Sequence, residues 1–194
     1  MAAGARAAGI APWGEGSNLP RVALRENRIY EAKAKMIKIG DKIPAQKLMQ
    51  ATAEGPREVD TAELLGQGKV VLFAVPGAFT PTCSAKHLPG FVRLAVDLKA
   101  KGVDKIVCLS VNDAFVMGAW AKDQKVGEAV VMLADGSGLY TKALGLELDL
   151  TARGMGIRSQ RFALVIESGI VTKVAVEEPG GFEVSRAEAI LEAL

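Results

Sequence analysis

The sequence predicts an α/β domain in which helices cover both faces of a mixed β-sheet. Residues 70–75 and 105–111 are continuous apolar runs, typical of strands that are buried on both faces. A helical pattern separates the two runs, and a hairpin signal follows nearer the C-terminus. These three features indicate parallel central strands that are joined by a helix and flanked by antiparallel strands.

A helix is predicted between the two central strands and another after them. Residues 88–101 carry apolar side chains at helical spacing, and the glycine that follows is a typical helix stop. Asn112 and Asp113 are placed to cap a helix that runs through Trp120. The apolar run 130–133 then predicts a third strand, so strands and helices keep alternating along the chain.

The C-terminal part is expected to close the sheet. A short helical turn at 140–144 precedes a glycine-interrupted stretch, 150–159, that predicts a loop. The runs 161–166 and 170–176 flank a Ser-Gly pair, which is a two-residue hairpin signal. Residues 185–188 form a capping box before a final amphipathic helix. This order of elements matches a thioredoxin-like fold.

Composition is that of an ordinary globular protein with no attraction to polyanions. The chain has 194 residues, of which 49% are hydrophobic and 24% are charged. Its 24 basic and 22 acidic groups nearly cancel, so nucleic acid and anionic membranes are poor partners. The longest apolar stretch, residues 70–76, is far below the ~20 residues of a spanning helix. We therefore expect a protein that binds neither nucleic acid nor membrane.

Residues 1–35 differ in composition from the rest of the chain. They carry six basic and three acidic groups, and they are rich in alanine and glycine. This composition suits a transit peptide for a plastid or the mitochondrial matrix, and a disordered tail explains it equally well. The apolar core of a secretory signal peptide is missing. We expect a folded domain at 36–194 that is not secreted, and that is cytoplasmic if 1–35 is no transit peptide.

The inventory of reactive side chains excludes several functional classes. Two cysteines, Cys83 and Cys108, are too few for a disulfide framework. With one histidine, His87, soft ligands are also too few for a zinc site. A hydrolase triad would have to use His87, which lies only four residues from Cys83. Redox chemistry at a cysteine is the functional class that remains.

The reactive residues concentrate after the first central strand, in residues 76–87. In open α/β sheets the functional site lies beyond the carboxyl ends of the strands. Pro81 suits a helix start, and if Thr82 caps that helix then Cys83 occupies its first turn, where free N–H groups favour a thiolate. The hydroxyl of Thr80 can accept from the thiol or donate to the sulfur. Cys83 is the candidate nucleophile.

Pro76, Thr80 and Cys83 reproduce the Pro-x-x-x-Thr-x-x-Cys signature of the peroxiredoxins, and the sequence resembles that family. The string 75–84 looks like the type II, peroxiredoxin-5-like subfamily, and the pattern is most like that of plant and algal members. The resemblance covers about residues 37–194, and five further segments carry it in order: 87–91, 110–115, 135–138, 144–150 and 158–162.

The resemblance implies a thiol-dependent peroxidase that reduces hydrogen peroxide and alkyl hydroperoxides without metal, flavin or haem. Cys83 would be the peroxidatic cysteine, which becomes a sulfenic acid, with Thr80 and Arg161 completing the pocket and Pro76 shielding it. An arginine stays charged and offers a fork of donors to a thiolate and a bound peroxide. Arg158 competes with Arg161 for this role.

Two residues keep alternative roles. His87 can share a helix face with Cys83 and support the site, or it can merely order the local backbone. Cys108 resembles the residue assigned as resolving in plant members, although its place in an apolar strand is typical of a small buried hydrophobe. Animal relatives have a resolving cysteine before the last helix, where this sequence has none. The implied reductant is glutaredoxin with glutathione, or thioredoxin.

The resemblance also implies a homodimer, with Phe79, Phe115 and Met117 as contact residues. Trp120 is expected, like Phe79 and Phe115, in the pocket wall or at the subunit contact. A peroxide-sensing signalling protein would use Cys83 only once per oxidation, so turnover separates it from a peroxidase. A thioredoxin-type oxidoreductase needs Cys-x-x-Cys, and here a threonine occupies the earlier position.

Overall fold

The computed structural model describes residues 35–194, which form a mixed sheet covered by helices. The predicted extension 1–35 lies outside the described residues except for its last position. The strands are β1 (Lys47–Thr52), β2 (Gly55–Asp60), β3 (Lys69–Val75), β4 (Lys105–Ser110), β5 (Val131–Ala134), β6 (Glu147–Leu150), β7 (Gly156–Ser159), β8 (Phe162–Glu167) and β9 (Ile170–Val176). The helices are α1 (Thr61–Leu65), α2 (Leu88–Arg93), α3 (Ala95–Ala100), α4 (Ala114–Asp123), α5 (Leu139–Ala143) and α6 (Ala187–Glu192).

Seven strands build the main sheet in the order β2-β1-β5-β4-β3-β8-β9. The three central strands β3, β4 and β5 are parallel, whereas β1, β2, β8 and β9 pair antiparallel with their neighbours. The predicted mixed sheet and its central βαβ unit are therefore confirmed. Strands β6 and β7 form a separate antiparallel pair.

The alternation of side chains along β3 separates two core layers. Val71, Phe73 and Val75 face one layer, together with the buried sides of α2, α3, α4 and α6. The intervening residues of β3 face the other layer, which α1 and α5 cover. Cys108 of β4 and Cys83, which follows β3, both belong to the first layer, so the two cysteines lie on the same side of the sheet.

Two local signals have the predicted geometry. Asp113 caps α4, because its side chain accepts from the N–H groups of Phe115 and Val116 at 2.9 Å. Ser168 and Gly169 have φ values of 49° and 80°, which is the left-handed pair that a two-residue hairpin between β8 and β9 requires.

The predicted helix at 88–101 is confirmed with one interruption, because Leu94 separates α2 from α3. Leu94 has φ −94° and ψ 11°, outside the helical region. The buried stripe of Leu88, Phe91, Ala95 and Leu98 runs straight through the break. The apolar pattern is the same on both sides of Leu94, so nothing in the sequence indicated the change in backbone conformation there.

The predicted loop at 150–159 is also wrong, since most of it belongs to the β6–β7 hairpin. Leu150 pairs with Gly156 and Glu147 with Ser159, and a 3₁₀ turn at Thr151–Arg153 connects the strands. Each strand is four residues long. Such short strands give too little alternation for a pattern to be recognised.

The predicted capping box at 185–188 does not form. The helix is preceded by Arg186, without a side-chain cap. The hydroxyl of Ser185 instead donates to Glu177 at 2.8 Å, and Glu188 pairs with Arg93. The side chains of Ser185 and Glu188, which would form the capping box, are instead bonded to residues far away in the sequence. The hairpin β1–β2 and helix α1 carried no sequence prediction.

Helix α4 places its aromatic and sulfur side chains differently from the expectation. Met117 and Trp120 are fully buried in the core, so the expected roles in a subunit contact or pocket wall are wrong for both. Phe115, on the same helix, is 76% exposed, and Phe79 is 52% exposed. Within residues 35–194, no helix combines the length and apolarity needed to cross a bilayer.

Candidate active site

Cys83 lies in the first turn of the helix that follows β3, and its side chain is fully buried. The helix begins at Pro81, and the turn Cys83–His87 is π-helical. Thr82 is itself helical, with φ −65° and no side-chain cap, so its predicted capping role is wrong. Thr80 precedes the helix instead, and its carbonyl accepts from the N–H of Ser84 at 3.0 Å. Proline fits the first helical position because the N–H it lacks has no partner there.

The Thr80 hydroxyl lies 2.8 Å from Cys83 Sγ and 2.9 Å from the carbonyl oxygen of Gly77. A hydroxyl has one hydrogen to donate and lone pairs to accept with. When the sulfur is a thiol, the S–H can donate to Thr80 while the hydroxyl donates to Gly77. When the sulfur is a thiolate, the hydroxyl can turn and donate to it. Thr80 therefore suits either protonation state of Cys83.

The loop before Thr80 is held in an unusual conformation. Phe79 has a φ of 61°, in the left-handed region that non-glycine residues rarely adopt. Asn112, at the end of β4, accepts from the N–H of Ala78 at 3.0 Å and from the Ser110 hydroxyl at 2.7 Å. Asn112 thus ties this loop to the neighbouring strand, a role that the sequence did not indicate.

Arg161 reaches the sulfur from the start of β8. Its Nη2 lies 3.5 Å from Cys83 Sγ, and its Nη1 lies 3.0 Å from His87 Nδ1. Arg158 does not share this position, because it donates to the carbonyl oxygens of Met155 and Val111 at 2.7 and 3.2 Å. A Cβ atom at Gly77 would lie 3.3 Å from Arg158 Nη1, so the Arg158 side chain packs against the loop that contains Gly77.

His87 is fully buried at the end of the π-helical turn. Its Nε2 lies 3.0 Å from the carbonyl oxygen of Ser185. Burial lowers the pKa of His87 to about 3, and the positive charge of Arg161 acts in the same direction. The imidazole is therefore neutral at physiological pH.

Cys108 occupies the middle of β4, opposite Phe73 on one side and Met132 on the other. Its side chain is fully buried, and the thiols of Cys83 and Cys108 are both free. Burial raises the pKa of Cys108 well above its usual value, and negative charge on Cys83 raises it further. Cys108 is thus protonated and poorly nucleophilic in this arrangement.

A cavity of about 570 Å³ opens beside these residues. Pro76, Thr80 and Arg161 line its inner end, and the β6–β7 hairpin and the segment 177–181 supply the rest of its walls. The hairpin contributes apolar side chains: Leu148, Leu150 and Met155. Cys83 is fully buried, and its contact residues Thr80 and Arg161 are the ones that reach the cavity. The sequence did not indicate these hairpin walls, because Leu150 and Met155 fall in the stretch that predicts a loop and Leu148 carried no predicted role in the site.

Fold and site together define a class: a thioredoxin-like protein in which the buried sulfur of Cys83 faces a hydroxyl and a guanidinium. Within residues 35–194, no three His, Cys, Asp or Glu side chains are grouped as a metal ion would require. A cysteine so placed suits attack on a small electrophile, with charge supplied by the arginine.

Known proteins identify the family. The Redoxin family model matches residues 38–191. Peroxiredoxin-2C of Oryza sativa subsp. japonica is 54% identical over 159 residues, which cover 81% of this chain and 98% of that protein. Peroxiredoxin-2E, chloroplastic, of Arabidopsis thaliana is 48% identical over 162 residues, covering 81% and 69%.

Solved structures agree. Reduced Prx3 of Vibrio vulnificus in complex with H₂O₂ has a TM-score of 0.78 and 56% identity, covering 81% of this chain and 99% of that one. Peroxiredoxin 5 of Alvinella pompejana has a TM-score of 0.72 and 32% identity, covering 81% and 97%. The chain belongs to the Redoxin family as a type II, peroxiredoxin-5-like peroxiredoxin, and it is a thiol-dependent peroxidase.

Proposed function

We propose that Cys83 is the peroxidatic nucleophile and that Thr80 and Arg161 complete its catalytic pocket. The observation that carries this assignment is the placement of one sulfur atom 2.8 Å from the Thr80 hydroxyl and 3.5 Å from an Arg161 nitrogen. A donor hydroxyl and a fixed positive charge can both stabilise negative charge as the sulfur attacks and the displaced oxygen departs. Pro76 lines the cavity beside them and limits the access of water.

The oxidation step follows from this arrangement. The Cys83 thiolate attacks the terminal peroxide oxygen, so an S–O bond forms as the O–O bond breaks. The electron pair leaves with hydroxide or alkoxide, which takes a proton to become water or alcohol, and Cys83 becomes a sulfenic acid. Arg161 and the N–H groups of the first helical turn stabilise the charge on the departing oxygen.

The reducing half of the cycle needs an external thiol. We propose that glutathione reduces the sulfenic acid to a mixed disulfide with release of water, and that glutaredoxin then removes the glutathione. The burial of Cys108 supports this route, because a protonated thiol inside a strand is a poor resolving group. Thioredoxin, acting on a Cys83–Cys108 bridge, is the alternative reductant.

The substrates proposed are hydrogen peroxide and alkyl hydroperoxides. The V. vulnificus relative whose structure contains H₂O₂ supports the first. The apolar hairpin wall formed by Leu148, Leu150 and Met155 supports the second, because it can receive an organic chain next to the reacting sulfur.

We further propose a homodimer and, for residues 1–35, a role in import into a plastid or the mitochondrial matrix. The exposure of Phe79 and Phe115 supports a subunit contact at this surface. Two of the relatives are named as chloroplastic, which supports import. Fusion of residues 1–35 to a fluorescent reporter tests it, and reporter that stays in the cytoplasm contradicts import.

Steady-state peroxide consumption tests the catalytic assignment. The protein should consume many equivalents of peroxide per subunit with glutathione and glutaredoxin, while Cys83→Ser consumes none and keeps its circular dichroism spectrum. Thioredoxin in place of glutaredoxin gives the comparison between reductants. Consumption that stops near one equivalent with every thiol donor would indicate a sensor, and turnover by Cys83→Ser would overturn the role of Cys83.

A further inference from the structure

His87 touches the group that faces the sulfur, but not the sulfur itself. Arg161 Nη1 lies 3.0 Å from His87 Nδ1, and Arg161 Nη2 lies 3.5 Å from Cys83 Sγ. A guanidinium has only donors, so Nδ1 must be the acceptor and the ring proton must reside on Nε2. That Nε2–H donates to the carbonyl oxygen of Ser185 at 3.0 Å. Both ring nitrogens are therefore engaged in one fixed tautomer.

Aromatic rings surround the imidazole and fix its plane. The centroids of Phe73, Phe182 and Phe91 lie 5.0, 5.2 and 5.6 Å from that of His87. Phe182 also lies under Arg161, with Cζ 5.7 Å from the ring centroid. The acceptor at Nδ1 is thus presented to Arg161 in a single direction.

The long side chain of Arg161 has several rotatable bonds, so it needs a fixed partner such as His87 Nδ1 to keep its guanidinium beside Cys83. Glu177 and Glu178 line the same cavity as Arg161, so the guanidinium has open space into which it could turn. With one arm of the fork held by His87, the other arm is directed at Cys83. Loss of the acceptor would free the guanidinium to turn into the cavity or towards the solvent.

We propose that His87 is a positioning residue that holds Arg161 against Cys83 by accepting a hydrogen bond at Nδ1. The proposal rests on the role of Arg161 in the proposed function. His87 takes no part in proton transfer, since its neutral, fixed tautomer has neither a free donor nor a free acceptor. Its burial keeps the ring neutral and Nδ1 available as an acceptor throughout the physiological pH range.

A matched pair of substitutions separates the two hydrogen bonds of His87. In His87→Asn, the side-chain oxygen can occupy the position of Nδ1 and accept from Arg161, but nothing reaches Ser185. In His87→Gln, the longer amide can donate to the Ser185 carbonyl, whereas the acceptor at the Nδ1 position is lost. His87→Met removes both bonds while it retains bulk. Leu98→Ala removes buried volume from the same core layer and no hydrogen bond, and it serves as the packing control.

Two measurements report on the sulfur. The first is the pH dependence of Cys83 alkylation by iodoacetamide, assigned by mass spectrometry, and the second is the second-order rate constant for oxidation by hydrogen peroxide. We expect His87→Gln and His87→Met to move the alkylation midpoint upwards by about one pH unit and to slow oxidation about tenfold. His87→Asn should stay within about twofold of the wild-type rate constant, and Leu98→Ala should lower the Tm without moving the midpoint.

The same substitutions in an Arg161→Ala background distinguish positioning from other roles. If His87 acts through Arg161, His87→Gln causes no further loss once the guanidinium is absent. An equal loss in both backgrounds would overturn the proposal, as would equal losses in His87→Asn and His87→Gln. If His87→Gln does not fold, His87→Met carries the comparison with His87→Asn. An Arg161→Ala protein with a wild-type midpoint and rate constant would instead show that the proposed role of Arg161 is wrong, and the positioning role with it.

Discussion

Ser185 donates two hydrogen bonds to a single carboxylate oxygen of Glu177, one from its N–H and one from its hydroxyl, both at 2.8 Å. The N–H of Glu177 in turn donates to the carbonyl oxygen of Arg161 at 2.9 Å. Ser185 also accepts from His87, and His87 accepts from the Arg161 side chain. A closed ring of hydrogen bonds therefore begins and ends at the arginine that faces Cys83.

We expect Glu177→Gln to weaken this ring without abolishing activity. The amide oxygen can still accept, but the bonds from Ser185 lose the assistance of a negative charge, which is worth about 1 kcal/mol of unfolding free energy. Urea unfolding at neutral pH measures the loss. Glu183→Gln is the control, because Glu183 enters the ring only through its N–H. Equal stability of Glu177→Gln and the wild type would show that the carboxylate is not needed.

Arg161→Ala should slow the oxidation of Cys83 at least tenfold, whereas Arg158→Ala should leave the pH dependence of Cys83 alkylation unchanged. Of these two arginines, Arg161 has a nitrogen 3.5 Å from the sulfur, whereas Arg158 is engaged with main-chain carbonyls. Stopped-flow oxidation and alkylation profiles of both variants check this. The same upward shift of the alkylation midpoint in both variants would remove the distinction between the two arginines.

Acid should destabilise the protein through His87. Its pKa is about 3 in the folded state and near its ordinary value of 6.5 in the unfolded chain, so the unfolded state binds the proton first as the pH falls. The unfolding free energy should therefore decrease below about pH 6.5, by up to about 1.4 kcal/mol per pH unit from this group. Urea unfolding at pH 7 and pH 5 measures the decrease. The decrease should be smaller in His87→Asn, and an identical pH dependence would contradict the assignment to His87.

Cys108→Ser should retain most of the activity supported by glutathione and glutaredoxin. The sulfur is buried in β4 and its pKa is raised, so it contributes little as a nucleophile. Mass spectrometry after one equivalent of peroxide should then find glutathione on Cys83. Loss of most of this activity with an unchanged Tm, or an internal Cys83–Cys108 bridge formed in the presence of glutathione, would make Cys108 a resolving cysteine.

Substitution of Phe115 should weaken the proposed homodimer. Phe115 is 76% exposed, and a large apolar side chain in that position gains most from burial against a second copy. Light scattering at micromolar concentration should show a dimer for the wild type and more monomer for Phe115→Ser. Val96→Ser, on another exposed apolar residue, is the control. A wild-type protein that is monomeric in both reduced and oxidised forms would contradict the dimer.

The elements that the sequence predicted well share a local cause. Strands β3 and β4 are continuous apolar runs, and the Ser168-Gly169 turn needs only two residues that adopt positive φ. The elements that the sequence predicted wrongly depend on contacts with other parts of the chain. Ser185 bonds to Glu177 rather than capping α6, and the short strands β6 and β7 exist because they pair with each other.

The same division holds at the site. The sequence by itself pointed to Cys83 as the candidate nucleophile, since Pro76, Thr80 and Cys83 stand within eight residues of chain at the end of a buried strand. Thr80 is only three residues from Cys83, and its hydroxyl lies 2.8 Å from the sulfur. Only the tertiary structure decided which arginine faces that sulfur and what holds it there. Arg161 is 78 residues from Cys83 and 74 from His87 along the chain. Contacts over such separations depend on the pairing of β3 with β8 and on the packing of the segment before α6, and no local pattern encodes them.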